Sequence, residues 1–68
     1  MTVTINGAPH ELPEDATLAD VVAMVTGGVD ARGVAVARNG DVILRSAWKD
    51  TQVASDDRVE VLHAVQGG

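Results

Sequence analysis

Residues 2–12 read TVTINGAPHEL, and they describe a β-hairpin. Val3 and Ile5 alternate with Thr2 and Thr4, the period-two pattern of a strand with one buried face. Asn6-Gly7 then supplies the strongest short hairpin signal, because both central positions of the favoured two-residue turn need positive φ. Such a turn pairs Ile5 with Ala8 and Val3 with His10. Pro9 falls inside the second strand. Proline has no N–H to donate to a ladder, so this strand is expected at a sheet edge.

Beyond the hairpin the pattern changes to a helical one. In PEDATLADVVAMVTGG (13–28), Thr17 is an N-cap with Asp20 three residues later, a short-armed version of the capping box. Leu18, Val21, Val22 and Val25 follow the i, i+3, i+4, i+7 spacing of one apolar stripe. Gly27-Gly28 provides a left-handed stop. One amphipathic helix of two to three turns is expected.

Residues 34–44, VAVARNGDVIL, repeat the hairpin logic around Asn39-Gly40, with Arg38 and Asp41 opposed beside the turn. RSAWKD (45–50) breaks the alternation, and Ser46 is placed to cap a single helical turn carrying Trp48. TQV is a very short strand candidate and SDDR a turn. The stretch VEVLHAV (59–65) alternates again, with Val59, Val61, His63 and Val65 on one side and Glu60, Leu62 and Ala64 on the other. The order is hairpin, helix, hairpin, short turn, last strand. One helix must cover one face of a mostly antiparallel sheet, an α+β roll. If the last strand lies beside the first, those two run parallel.

The chain has 68 residues, enough for one domain, and a domain of this size buries only about 60% of its unfolded surface. No cysteine is present, which excludes a disulfide staple, a thiolate metal site and a catalytic cysteine. No apolar run is long enough to span a bilayer, and a cytoplasmic location is expected. Ten acidic residues face five basic ones, a formal charge of −5. Nucleic acid is therefore excluded as the expected partner, since phosphate binding needs clustered Lys and Arg. Trp48 is the only aromatic residue, and the core is expected to be small and aliphatic, leaving little room for a ligand pocket.

The candidate chemical groups are few. His10 and His63 are the only histidines, and without cysteine or an H-x-x-x-H spacing they do not read as metal ligands. His10 is expected to be partly buried on an edge strand. His63, five residues from the end, reads as a structural or rim residue. Neither has a serine or cysteine nearby to activate, so no catalytic residue is assigned. The acidic pairs Glu14-Asp15 and Asp56-Asp57 flank turns and read as solvated. Gly27-Gly28 follows a helix, whereas a phosphate cradle precedes one. Trp48 reads as a core plug.

The sequence finishes on VLHAVQGG (61–68). If residues 1–63 form the domain, residues 64–68 make a flexible tail reaching roughly 15 Å beyond it, at about 3.3 Å per residue. Gly67 and Gly68 carry no side chain and can thread a channel too narrow for any other residue. The Gly68 carboxylate can attack the α-phosphate of ATP to give an acyl-adenylate, provided that a partner enzyme supplies magnesium and positioning. The adenylate is then open to a sulfur or amine nucleophile.

Three stretches carry a resemblance to a known family: VARNGDVI (36–43), then RSAW (45–48), then DRVEVLHAVQGG (57–68). Together they resemble the thiamine-biosynthesis sulfur carriers (ThiS) among the ubiquitin-like, beta-grasp proteins, and the likeness covers essentially the whole chain. Leu44 departs from the family pattern, which places proline before the Arg-Ser-x-Trp segment.

The resemblance implies a beta-grasp α+β fold, a mixed four- to five-stranded sheet with one main helix on one face. It implies that a ThiF-type adenylyltransferase uses ATP and magnesium to adenylate Gly68. A persulfide sulfur then displaces AMP and leaves a C-terminal thiocarboxylate, which a ThiG-type thiazole synthase accepts for the thiazole ring. No cofactor would be bound by this chain. Gly67, Gln66 and Val65 become tail contacts, and Leu62 a docking residue if its side of the sheet is exposed rather than covered by the helix. A carrier for another pathway, the small subunit of molybdopterin synthase among them, and a non-covalent ubiquitin-like interaction module remain as alternatives.

Overall fold

The computed structural model describes residues 1–28 and 33–63. Strands β1 (Thr2–Ile5) and β2 (Ala8–Glu11) form the first hairpin, helix α1 spans Leu18–Thr26, and β3 (Val34–Arg38) and β4 (Asp41–Ile43) form the second hairpin. A 3-10 helix, Arg45–Asp50, precedes the last strand, β5 (Arg58–His63). The sheet order is β2-β1-β5-β3-β4. β5 runs parallel to β1 and antiparallel to β3, and the other pairs are antiparallel. This is the mixed five-stranded beta-grasp arrangement.

Local chemistry explains most of these elements. Both Asn-Gly turns adopt positive φ at both positions, 50° and 84° at Asn6-Gly7 and 51° and 90° at Asn39-Gly40. The expected register is present, with Ile5 opposite Ala8, Val3 opposite His10 and Arg38 opposite Asp41. β2 lies at the sheet edge, where Pro9 is tolerated. Thr17 caps α1 through a full capping box: the Asp20 N–H donates to Thr17 Oγ1 at 3.3 Å, and the Thr17 N–H donates to Asp20 Oδ2 at 2.9 Å. Gly27 ends the helix in the left-handed region at φ 74°.

The core lies between α1 and one face of the sheet. It joins Val3, Ile5, Val36, Val59 and Val61 to Leu18, Val21 and Val22. Val25 departs from the expected stripe: it sits in the last turn of α1, is 38% exposed and does not join the cluster. Trp48 is buried, and its Nε1 donates to the Ile43 carbonyl at 2.9 Å, so the indole closes one end of the core with its polar atom satisfied.

Two other expectations need correction in this region. Ser46 does not cap the helical turn; Leu44 holds the N-cap position without a side-chain bond, and Ser46 lies within the 3-10 helix. The TQV segment contributes only a single bridge, Gln52 to Thr17. An open groove of about 720 Å³ runs between α1 and the 3-10 helix.

Candidate functional site

β5 is the strand that leads into residues 64–68, and the fold holds it from both sides. Beyond its ladders to β1 and β3, two turn asparagines grip it with their side chains. Asn6 Oδ1 accepts from the Val61 N–H at 2.8 Å, and Asn6 Nδ2 donates to the Val61 carbonyl at 3.2 Å. The amide thus stands in for one more residue of the parallel ladder where β1 itself has turned away. From the β3 side, Asn39 Oδ1 accepts from the Arg58 N–H at 2.9 Å.

The start of β5 is fixed by Asp57, whose expected place was a solvated turn. It is instead buried, at 7% exposure. Its carboxylate accepts from Arg38 Nε at 2.8 Å, Asn39 Nδ2 at 3.0 Å and the Ala54 N–H at 2.7 Å. Burial pushes this carboxyl up, but the hydrogen bonds from Ala54, Asn39 and Arg38, with the guanidinium charge, outweigh it. They hold Asp57 below the ordinary aspartate value. Arg38 was paired with Asp41 by the hairpin register. The Cα register is as expected, but the guanidinium turns to Asp57 because that carboxylate is buried and needs partners.

Alternate residues of β5 face opposite ways. Val59 and Val61 are buried under α1, whereas Leu62 is 61% exposed on the open face. Ala35 pairs directly with Leu62, Ala37 with Glu60, and Val42 with Ala37, so these residues share the open face. Val42 is exposed at 72%. An apolar patch of Leu62, Ala35, Ala37 and Val42 thus lies beside the charged side chains of Glu60 and Arg58. The two readings of Leu62 resolve in favour of exposure.

The remaining candidates separate. His10 is exposed on β2, not partly buried, because all four residues of that edge strand face solvent. His63 is exposed at the end of β5. Among the described residues there is no group of three His, Cys, Asp or Glu side chains placed to share a metal ion. No helix among them is long and apolar enough to cross a membrane. Val65, Gln66, Gly67 and Gly68 lie outside the described residues, as does the tail boundary at residue 64. Sequence reading missed the roles of Asn6, Asn39 and Asp57. Asn6 and Asn39 act across at least 18 positions, and Asp57 adds to its local bond with Ala54 two partners equally remote, which no local pattern signals.

Comparison with known proteins converges on one family. The ThiS family model matches residues 3–68. A crystal structure of the thiamine biosynthesis protein ThiS from Geobacter metallireducens is 31% identical and superposes with a TM-score of 0.79, covering the whole of both chains. A solution NMR structure of a thiamine biosynthesis protein from the same organism gives 0.76 at 31% identity, covering all of this chain and 88% of that one. A thiazole synthase from Magnetococcus marinus is 32% identical over 68 residues. That match takes in the whole of this chain, which spans only 20% of that enzyme's length.

Proposed function

Because the chain belongs to the ThiS family, we propose that it is a sulfur carrier of thiamine biosynthesis, a protein co-substrate rather than a catalyst. The observation that carries this reading is the family match itself, which runs through the final Gly67-Gly68 beyond a firmly anchored β5.

The proposed chemistry takes place at the carboxylate of Gly68. A ThiF-type adenylyltransferase brings ATP and magnesium to Gly68. The carboxylate oxygen attacks the α-phosphorus and pyrophosphate leaves. The terminal sulfur of a persulfide then attacks the acyl carbon and AMP leaves. A second thiol cleaves the resulting S–S bond, forming a disulfide and releasing the thiocarboxylate. Thiazole synthase accepts that sulfur; the likeness to a chain of that name supports it as the receiving enzyme. Gly67, Gln66 and Val65 are tail contacts within the partner's channel. The patch around Leu62 supplies the docking face, and the formal charge of −5 favours an electropositive partner.

Intact mass spectrometry tests the reading. After incubation with the adenylyltransferase, ATP, magnesium and a persulfide donor, one terminal oxygen is expected to be exchanged for sulfur. Removing Gly68 is expected to abolish the exchange and leave the melting temperature unchanged. An unmodified wild-type chain beside an enzyme active on its own carrier would overturn the proposal. So would rescue of a molybdenum-cofactor defect, rather than a thiamine requirement, by this gene.

A further inference from the structure

The groove between α1 and the 3-10 helix takes no part in the tail chemistry, and it is built from the RSAW segment that the sequence singles out. Ala19, Ala23 and Thr26 recur at i, i+4 and i+7 along the flank of α1, and their small side chains leave a trough. Trp48 forms its floor, held by the bond from Nε1 to the Ile43 carbonyl. Arg45 and Lys49, both exposed and about one turn apart, stand at its lip. Two of the chain's five basic residues are thus gathered at one apolar trough, in a protein with ten acidic ones.

We propose that this groove is a second docking site, taking a segment of a partner protein that sets bulky apolar side chains among carboxylates. Charge complementarity selects the acidic flanks, and the apolar trough selects the side chains between them. The trough is open along the helix. A small ligand would keep much of its surface wet there, whereas drug-sized ligands in their pockets are typically 70–90% or more buried. A peptide laid lengthwise covers the trough. The groove lies on the covered side of the sheet, between α1 and the 3-10 helix, and none of its lining residues belongs to the Leu62 patch. The site therefore does not depend on the sulfur-carrier reading.

Trp48 is the sole aromatic residue, so its emission reports the groove directly. The probe is a short capped peptide of alternating Glu and Leu pairs, titrated at low salt with Trp48 fluorescence and amide NMR shifts. Shifts are expected at Ala19, Ala23 and Ser46, with binding weakened about tenfold by Arg45→Glu with Lys49→Glu. Both side chains are exposed, so circular dichroism and melting are expected to match wild type. If that double variant fails to fold, Lys49→Gln provides the same test through a shallower salt dependence. Shifts confined to Leu62 and Val42 would overturn the proposal, as would equal binding of a peptide with Lys in place of Glu. Octanoate binding as tightly as the peptide would assign the groove to small anionic molecules and likewise overturn it.

Discussion

Val61 and Leu62 are neighbours in β5, yet one lies 5% exposed under α1 and the other 61% exposed on the open face. The two faces of the sheet divide labour at single-residue spacing. The covered face is bound into the core through Val3, Ile5, Val36, Val59 and Val61. The open face carries alanines, Val42 and Leu62, whose removal leaves no cavity in that core. Alternate residues of the same strand thus face the core and the open surface, so the proposed docking face can be altered without touching the core.

The largest expected break is on the covered side. Trp48→Ala should cost about 3–5 kcal/mol, since it empties the end of the core and orphans the Ile43 carbonyl. Chemical denaturation would read it, and a loss under about 1 kcal/mol would mean that the indole is not a core element.

Asp57 comes next. Asp57→Ala should cost about 2 kcal/mol by leaving Arg38, Asn39 and the Ala54 N–H without their shared acceptor. The same group gives a pH signature. Its folded carboxyl lies below the ordinary value, so the stability it contributes is fully present above about pH 4. That contribution is lost as pH falls through the folded value. A melting series across the acid range should show this loss in wild type, and a smaller one in Asp57→Ala.

The smallest effect on stability belongs to the open face. Leu62→Glu should stay within about 0.5 kcal/mol of wild type. The same change should weaken capture by thiazole synthase in a pull-down with purified proteins. A large drop in melting temperature would show that the two faces are not independent.

Much of this architecture is legible in the sequence because it is made by local chemistry. Asn-Gly needs positive φ, Thr17 and Asp20 are one helical turn apart, and alternating valines demand a buried face. The placement of β5 between β1 and β3 was readable only as a condition, since strand order depends on long-range pairing. Asp57 is buried where its turn sequence suggests a solvated side chain. Nothing in SDDR announces that Arg38 and Asn39, 19 and 18 positions earlier, arrive beside it. The groove is illegible in the sequence for a related reason: a trough exists only between two elements, and small residues in a helix carry no mark of what lies across from them. The proposed tail rests on composition alone, and residues 64–68 lie outside the described residues.

Pro9 has a consequence beyond the hairpin. Met1 and Leu12 exchange backbone hydrogen bonds, both 2.8 Å, and along the alternating antiparallel ladder this turns the Pro9 nitrogen away from β1, toward the outer rim. A stray chain that tried to lengthen the sheet along β2 would find a missing donor there. The opposite rim, β4, is only three residues long. With one border chemically blunted and the other only three residues long, both rims offer a stray strand little to pair with.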